Sequence, residues 1–358
     1  MKQFTITEAE QGQRLTKYLA RLLPNAGSGF LYKMLRKKNI TLNGAKADGS
    51  ETVKNGDTVC VYFSDDTFAS FAVQTTEALP VFAARAFPAE RIVFENSQVI
   101  IADKPVGLLS QKDKAESESL NEQLLQYLAD RGEITPSSLA NYKPSVCNRL
   151  DRNTAGLVIF AKTLQAGREL NRILRDRSIR KYYYAIAIGR FEKHVDSRLY
   201  VNKDTETNTV TVSETPVSSD SMPVHTEFSP VGYSGSLTLL RIKLHTGRSH
   251  QIRSVLSYLG YPVLGDPKYA SLKREAAEVQ KKLQIKYHLN GQQLLAYALV
   301  FPKDLPDCLS ELSDQLLHAS FPEGFETVLR QEFRMKGDCH YVLQIPRPER
   351  FSVRGVHQ

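Results

Sequence analysis

The stretch Cys147–Lys162, CNRLDRNTAGLVIFAK, sets an acid between two arginines and then runs into an unbroken apolar segment. Gly156 breaks the local pattern, and Leu157 to Ala161 reads as a buried strand. Arg149, Asp151 and Arg152 therefore lie on a loop that feeds a rigid core strand, a mount from which loops commonly carry function. Taken alone, an aspartate between arginines is more often a solvated ion pair of little energetic worth. The rest of the chain has to decide between the two.

Downstream, residues 164 to 177 have the spacing of a helix, with Leu170, Ile173 and Leu174 inward and an arginine stripe, Arg168, Arg172 and Arg175, on the other side. Such a stripe reads equally as a solvated face or as an RNA path. Residues 180 to 189, RKYYYAIAIG, read as a strand with Tyr182 and Tyr184 on one face and Tyr183 on the other. Residues 192 to 221 are polar and read as a strand-loop excursion. Residues 238 to 244 alternate as a strand, HTGRS at 245 to 249 is a turn, and a helix is predicted from about His250 to Leu259. Its buried stripe is Ile252, Val255, Leu256 and Leu259, with Arg253 on a different face. A Lys-rich, solvated helix at 271 to 288 and a strand at 294 to 301 follow.

Upstream, two strands, Arg91 to Phe94 and Val99 to Ala102, precede a Pro/Gly loop and a helix over Ser119 to Leu128; residues 130 to 145 read as loop. Residues 65 to 90 are polar and Ala-rich and read as linker. Ahead of them lie a strand at Phe4 to Thr7, a helix at Arg14 to Leu23, a second helix with Ser28 as its N-cap, an Asn43-Gly44 hairpin signal and a last alternating strand, Val59, Val61, Phe63. Residues 1 to 64 hold ten basic and five acidic side chains, a net +5 of the chain's +8. Arg36, Lys37 and Lys38 cluster at the end of the second helix, where cations suit the helix dipole and also suit phosphate.

The composition sets bounds on all this. At 358 residues and 41% hydrophobic, the chain can build one large or two to three modest domains. Its basic balance favours an anionic partner, nucleic acid first. The four cysteines, at 60, 147, 308 and 339, are far apart with no CxxC pair, so neither a zinc site nor a disulfide framework is indicated. No apolar run is long enough to span a bilayer, and the N-terminal residues lack a signal-like core, so a cytoplasmic protein with no membrane association is expected.

Two resemblances follow from these residues. RLTKYLARLLP, SGFLYKMLRKKNITLNG and VKNGDTVCVYF, within residues 13 to 63, resemble the small RNA-binding module named after ribosomal protein S-four. Ser28-Gly29 stands where that module usually has Ser-Arg. ADKPVGLLS, NRLDRNTAGLVIFAK, KYYYAIAIG and LHTGRSHQIRSVLSYLGYPVLGDPKY resemble, in order and spacing, the pseudouridine synthases of the RluA type. This second resemblance covers roughly residues 13 to 302 together with the first. It implies an α+β protein: a small basic N-terminal module, then a catalytic domain with a mixed, mainly antiparallel sheet flanked by helices. The expected domains are 1–70, a linker at 71–88, a catalytic domain at 89–303 and a C-terminal extension at 304–358 with a basic tail, Arg347, Arg350 and Arg354.

The resemblance also implies roles. Asp151 falls on the catalytic aspartate, Tyr183 on the tyrosine that stacks on the target ring, and Arg253 on the arginine that pairs with the aspartate. Arg149 falls on the arginine beside the flipped base; Arg152, Arg248, His250, Arg36, Lys37 and Lys38 are further candidates for holding RNA. No cofactor and no metal are implied, and the expected protein is a monomer acting on structured RNA, ribosomal RNA first and transfer RNA second. The family pattern departs here at Asn148, where a His is usual, at Ala155 within Thr154-Ala155-Gly156, and at Ser254-Val255, which lacks the family's last His.

The residue types suit the chemistry. A carboxylate can act as nucleophile or base only when ionised, and a facing guanidinium favours that form. A uridine inside folded RNA must leave its stack before any side chain can reach it. Two other functions compete. A non-catalytic RNA- or ribosome-binding protein would be expected to lose Asp151 or Arg253, and both are present. A hydrolase built on Ser249 with His250 or His245 lacks the usual nucleophile elbow.

Overall fold

The computed structural model describes residues 1–7, 10–72, 79–114, 116–204, 207, 209–269 and 274–333. The expected basic tail lies outside the described residues. The chain forms two compact units, one of Met1–Ile179 with Leu299–Ala319 and one of Arg180–Ala298 with Ser320–Gln358.

The first unit opens with β1 (Lys2–Thr5), α1 (Leu15–Leu22), α2 (Ser28–Arg36), β2 (Ile40–Leu42), β3 (Ala45–Lys46) and β4 (Thr58–Val61). The strands make an antiparallel sheet in the order β1-β4-β2-β3, with Asn43-Gly44 turning β2 into β3 as the sequence predicts. Leu15, Leu19, Leu31 and Leu35 close over Ile40, Val59 and Val61 to form one small core. Each such leucine contributes about 1.5–3 kcal/mol by leaving water. Ser28 is the first residue of α2 rather than its N-cap; Gly27 holds that position and makes no side-chain cap.

The expected linker is partly structured. Helix α3 (Asp65–Phe71) is capped by Ser64, and it buries Phe68 against Phe4 while Phe71 packs on Phe30. Phe87 is buried with the core of the next elements, and the Phe82 and Phe87 amides donate to Gln126 and Gln123.

Next come β5 (Ile92–Glu95), β6 (Val99–Lys104), α4 (Leu120–Asp130), α5 (Pro136–Asn141), β7 (Ser145–Val146), β8 (Ala155–Ala161) and α6 (Leu164–Arg175). Helix α5, with a capping box on Thr135, occupies part of the stretch expected to be loop. β5, β6, β8 and β7 pair antiparallel, and every residue of β6 and β8 is buried. The α6 arginines are exposed: Arg172 pairs with Glu169 at 2.9 Å and Asp176 at 3.6 Å, and Arg168 donates to the Gly12 carbonyl.

The second unit holds β9 (Arg180–Ile188), β10 (Val195–Asp204), β11 (Thr209–Ser213), β12 (Met222–Ser234), β13 (Leu237–Leu244), α7 (Gln251–Tyr258), α8 (Arg274–Tyr287) and β14 (Leu294–Val300). Its strands run β11-β10-β12-β13-β9-β14, with antiparallel registers from β11 through β9. α8 is only partly the solvated helix expected, since Ala276, Leu283 and Tyr287 are buried. Segment Leu299–Ala319 adds β15 (Leu316–His318) to the first unit, and α9 (Glu323–Gln331) belongs to the second. The result is the α+β class with mainly antiparallel pairing that the sequence predicts. No helix among the described residues is long and apolar enough to cross a membrane.

Candidate active site

The two units each carry part of the predicted residue set. In the first, the order of the NRLD segment begins with the strand behind it. Cys147 donates its amide to Ile159 at 2.7 Å, and the Asn148 side chain then replaces a strand neighbour. Its Oδ1 accepts the Ile159 amide at 2.8 Å and its Nδ2 donates to the Leu157 carbonyl at 3.5 Å. Asn148, the residue standing where the family usually has a His, thus satisfies buried β8 backbone that β7 is too short to reach.

The next residues are held from both sides. Ser110 bridges the backbone of Leu150, its hydroxyl donating to the Leu150 carbonyl at 2.9 Å and accepting the Leu150 amide at 2.9 Å. Lys104, fully buried at the end of β6, donates to the carbonyls of Pro105 at 2.9 Å, Leu108 at 2.8 Å and Arg152 at 3.1 Å. The Gly107 amide also donates to the Arg152 carbonyl, at 2.9 Å. Asp151 lies between these two clamps, with its own carbonyl accepting the Thr154 amide at 3.0 Å. Burial pushes the Lys104 ammonium down to about 7, while Asp151 first and then Asp103 pull it back up. Asp151 is half-buried; Arg149 and Arg152 are exposed. Gly156, at φ 116°, enters β8 in a conformation that side-chain-bearing residues rarely adopt.

In the second unit, Tyr183 is 8% exposed on β9, opposite Ile242 of β13. Tyr184, on the alternate face, is the packing tyrosine, edge-on to Tyr297 at 5.0 Å. The 245–250 turn is stitched by Gln251. Its Oε1 accepts the Arg248 amide at 3.0 Å and the Thr246 hydroxyl at 3.0 Å, and its Nε2 donates to the Thr226 hydroxyl at 2.9 Å. His250 precedes α7 in the left-handed region, φ 52°, with Nδ1 3.0 Å from the Tyr269 hydroxyl. Arg248 is exposed.

Arg253 is 4% exposed, and Asp266, at 0%, holds it by a two-point ion pair, Nε to Oδ2 at 2.7 Å and Nη2 to Oδ1 at 2.9 Å. Asp266 Oδ1 also accepts the amides of Lys268 at 2.8 Å and Tyr269 at 3.1 Å, and the Arg253 guanidinium sits 5.2 Å from the centre of the Tyr269 ring. Gly265 makes this close turn feasible: at φ 79°, a Cβ there would lie 2.3 Å from the Gly291 carbonyl oxygen. These buried partners orient Arg253 and fix its charge.

Several of these residues were not among the predicted site residues: Lys104, Ser110, Gln251, Asp266 and Tyr269. All five sit inside the quoted family-like blocks, which was the available signal. Arg36, Lys37 and Lys38 are exposed at the end of α2 in the first unit. The hydrolase reading gains no support: His250 bonds to Tyr269 and His245 to Glu227, at 2.6 Å, rather than to Ser249.

Residues 98–258 match the RNA pseudouridylate synthase family. An uncharacterized RNA pseudouridine synthase of Mycoplasma pneumoniae is 32% identical over 75% of this chain and 81% of its own. Ribosomal large subunit pseudouridine synthase C of Rickettsia conorii is 30% identical over 72% of this chain and 82% of its own. Synthase D of Nitrosomonas europaea is 28% identical over 75% and 72%. In structure, human RNA pseudouridylate synthase domain containing 4 is similar with a TM-score of 0.53 at 21% identity, over 69% of this chain and 94% of that one.

Proposed function

This chain belongs to the RluA-type RNA pseudouridine synthases, isomerases that act on RNA, and from that premise we propose that it modifies uridines of large-subunit ribosomal RNA in the cytoplasm, with Asp151 as the reacting carboxylate. The observation that carries the assignment to Asp151 is the clamped loop. Ser110 fixes the backbone of Leu150 before it, and Lys104 fixes the carbonyl of Arg152 after it. A carboxylate on so constrained a backbone is held ready for one reaction geometry, which is where catalytic rate is gained.

The isomerisation breaks the bond from the sugar C1′ to the base N1 and forms one from C1′ to C5 of the same uracil. C5 then loses its proton and N1 gains one, so nothing enters or leaves overall. Asp151 initiates the exchange either by adding to the base or by removing a sugar proton on the way to a glycal-like intermediate. Arg253, its guanidinium held by Asp266, is assigned the part of the reaction's cation, as the family resemblance implies. Tyr183 stacks on the target ring, and Arg149 occupies the place the flipped base leaves. Arg152, Arg248, His250, Arg36, Lys37 and Lys38 hold phosphates of the surrounding RNA.

Ribosomal RNA is favoured as substrate by the relatives named as ribosomal large subunit synthases and by the basic N-terminal residues, which have the pattern of an S-four-like RNA-binding module. Site-resolved mapping of pseudouridine in cellular RNA, with and without the gene, tests this. One or a few large-subunit positions should revert to uridine when the gene is removed. Loss confined to transfer RNA would reject the assigned substrate, and an unchanged map would reject the enzyme's assignment to either RNA.

A further inference from the structure

The polar face of the second unit's sheet carries a cluster that the proposed reaction does not use. β12 and β13 pair with Thr226 opposite Leu244 and Glu227 opposite Lys243. The same register places His225 opposite His245, and the His245 amide donates to the His225 carbonyl at 3.2 Å. Because side chains alternate along a strand, His225 and Glu227 share one face with His245. Their rings and carboxylate lie side by side. The two imidazoles are stacked parallel, with centroids 3.9 Å apart and planes 4° apart, so one ring must turn out of the stack before both nitrogens can hold one ion. His245 Nε2 is 2.6 Å from Glu227 Oε1. One ligand atom from each of His225, Glu227 and His245 lies within 4.8 Å of the others. From β10, Asp196 reaches His225 Nε2 at 2.5 Å.

We propose that His225, His245 and Glu227 form a binding site for a divalent transition-metal ion of the zinc class, held on the sheet face by two imidazoles and a carboxylate.

The donor set selects the ion. Two nitrogens and one oxygen suit Zn²⁺, Co²⁺ or Ni²⁺, whereas Ca²⁺ and Mg²⁺ require sites built of oxygens. Three protein ligands leave a position for water, as is common for zinc. With Asp196 on its Nε2, His225 would ligate through Nδ1, and Asp196 then plays the part of the outer carboxylate that fixes a liganding histidine ring. Lys243 is the internal competitor: its ammonium lies 2.9 Å from Glu227 Oε1 and must give up that oxygen when the ion enters. The site spans the last pairing of β12 with β13, directly ahead of the turn that carries Arg248 and His250. An ion there ties the two strand ends together and steadies that turn.

The test uses the full chain, without an affinity tag, stripped with a chelator and titrated with Zn²⁺ by calorimetry and with Co²⁺ by visible absorption. We expect one equivalent of each to bind. The Co²⁺ bands should lack the thiolate charge-transfer absorption that binding to the cysteines would give. Saturating Zn²⁺ should raise the melting temperature. His225→Asn and His245→Asn should each weaken binding about a hundredfold and abolish the thermal shift. Lys243→Met, which removes the competitor, should tighten it severalfold. A variant that failed to fold would leave the wild-type signals to decide: paramagnetic Co²⁺ should broaden the imidazole resonances of His225 and His245 before those of other histidines. Absence of saturable binding, retention of binding in the double histidine variant, or a thiolate spectrum would overturn the proposal.

Discussion

At the scale of single residues, the candidate site rests on buried charges held by backbone groups and by opposing charges. Lys104 is the clearest case. Its pKa in the folded chain is pushed down to about 7 by burial, against an ordinary lysine value in the unfolded chain. Between those two values the unfolded chain holds the proton more tightly, so this group's contribution to stability rises as pH increases from about 7 toward that ordinary value. Lys104→Met should flatten that rise, read as the difference in urea midpoint between wild type and variant across the window. Arg253 depends on Asp266 in the converse way. Asp266→Ala leaves a buried guanidinium without its two-point partner and should cost about 3–5 kcal/mol in denaturant unfolding. A cost below about 1 kcal/mol would mean that the ion pair does not anchor α7. These dependences were hard to see in sequence. Asp151, Arg149 and Arg253 stand in recognisable motifs, but that Ser110 clamps Leu150 or that Asp266 holds Arg253 is a matter of chain path, not of spacing.

At the scale of elements, periodicity recovered what burial enforces. α1, α2, α4, α6 and α7 each present an apolar stripe, and the buried run of β8 stood out unaided. α7 is more enclosed than its stripe implies, because Gln251, Arg253, Ser254 and Ser257 are buried too and are satisfied by hydrogen bonds. Three elements were illegible for identifiable reasons. α3 buries only Phe68, and α5 is six residues long, started by Pro136. β12 contains Pro223, Pro230 and Gly232, residues that weaken a strand pattern; pairing with β10 on one side and β13 on the other imposes its strand, with a bulge between Pro230 and Gly232. The metal-site proposal was hidden for the same reason, since His225 and His245 meet only through that register. Asn148 belongs to this scale as well. Asn148→Ala removes the acceptor of the buried Ile159 amide and should lower stability by about 1–3 kcal/mol, measured by urea denaturation. No loss would show that another group takes over the Ile159 amide.

At the scale of the whole molecule, the net charge of +8 is weighted toward the first 64 residues, and Arg36, Lys37 and Lys38 remain exposed in the fold. Reversing all three to Glu should weaken binding to long structured RNA and shallow its salt dependence, because fewer phosphates are neutralised. On a minimal stem-loop the same variant should turn over at nearly the wild-type rate. Equal loss on both substrates would contradict a separate RNA-holding role for the N-terminal residues. The account as a whole stands on one carboxylate. Its most direct test is pseudouridine formation in large-subunit ribosomal RNA by wild type and by Asp151→Asn, with RNA affinity measured alongside. The variant is predicted to bind RNA as wild type does and to form no pseudouridine; product at the wild-type rate would contradict the account.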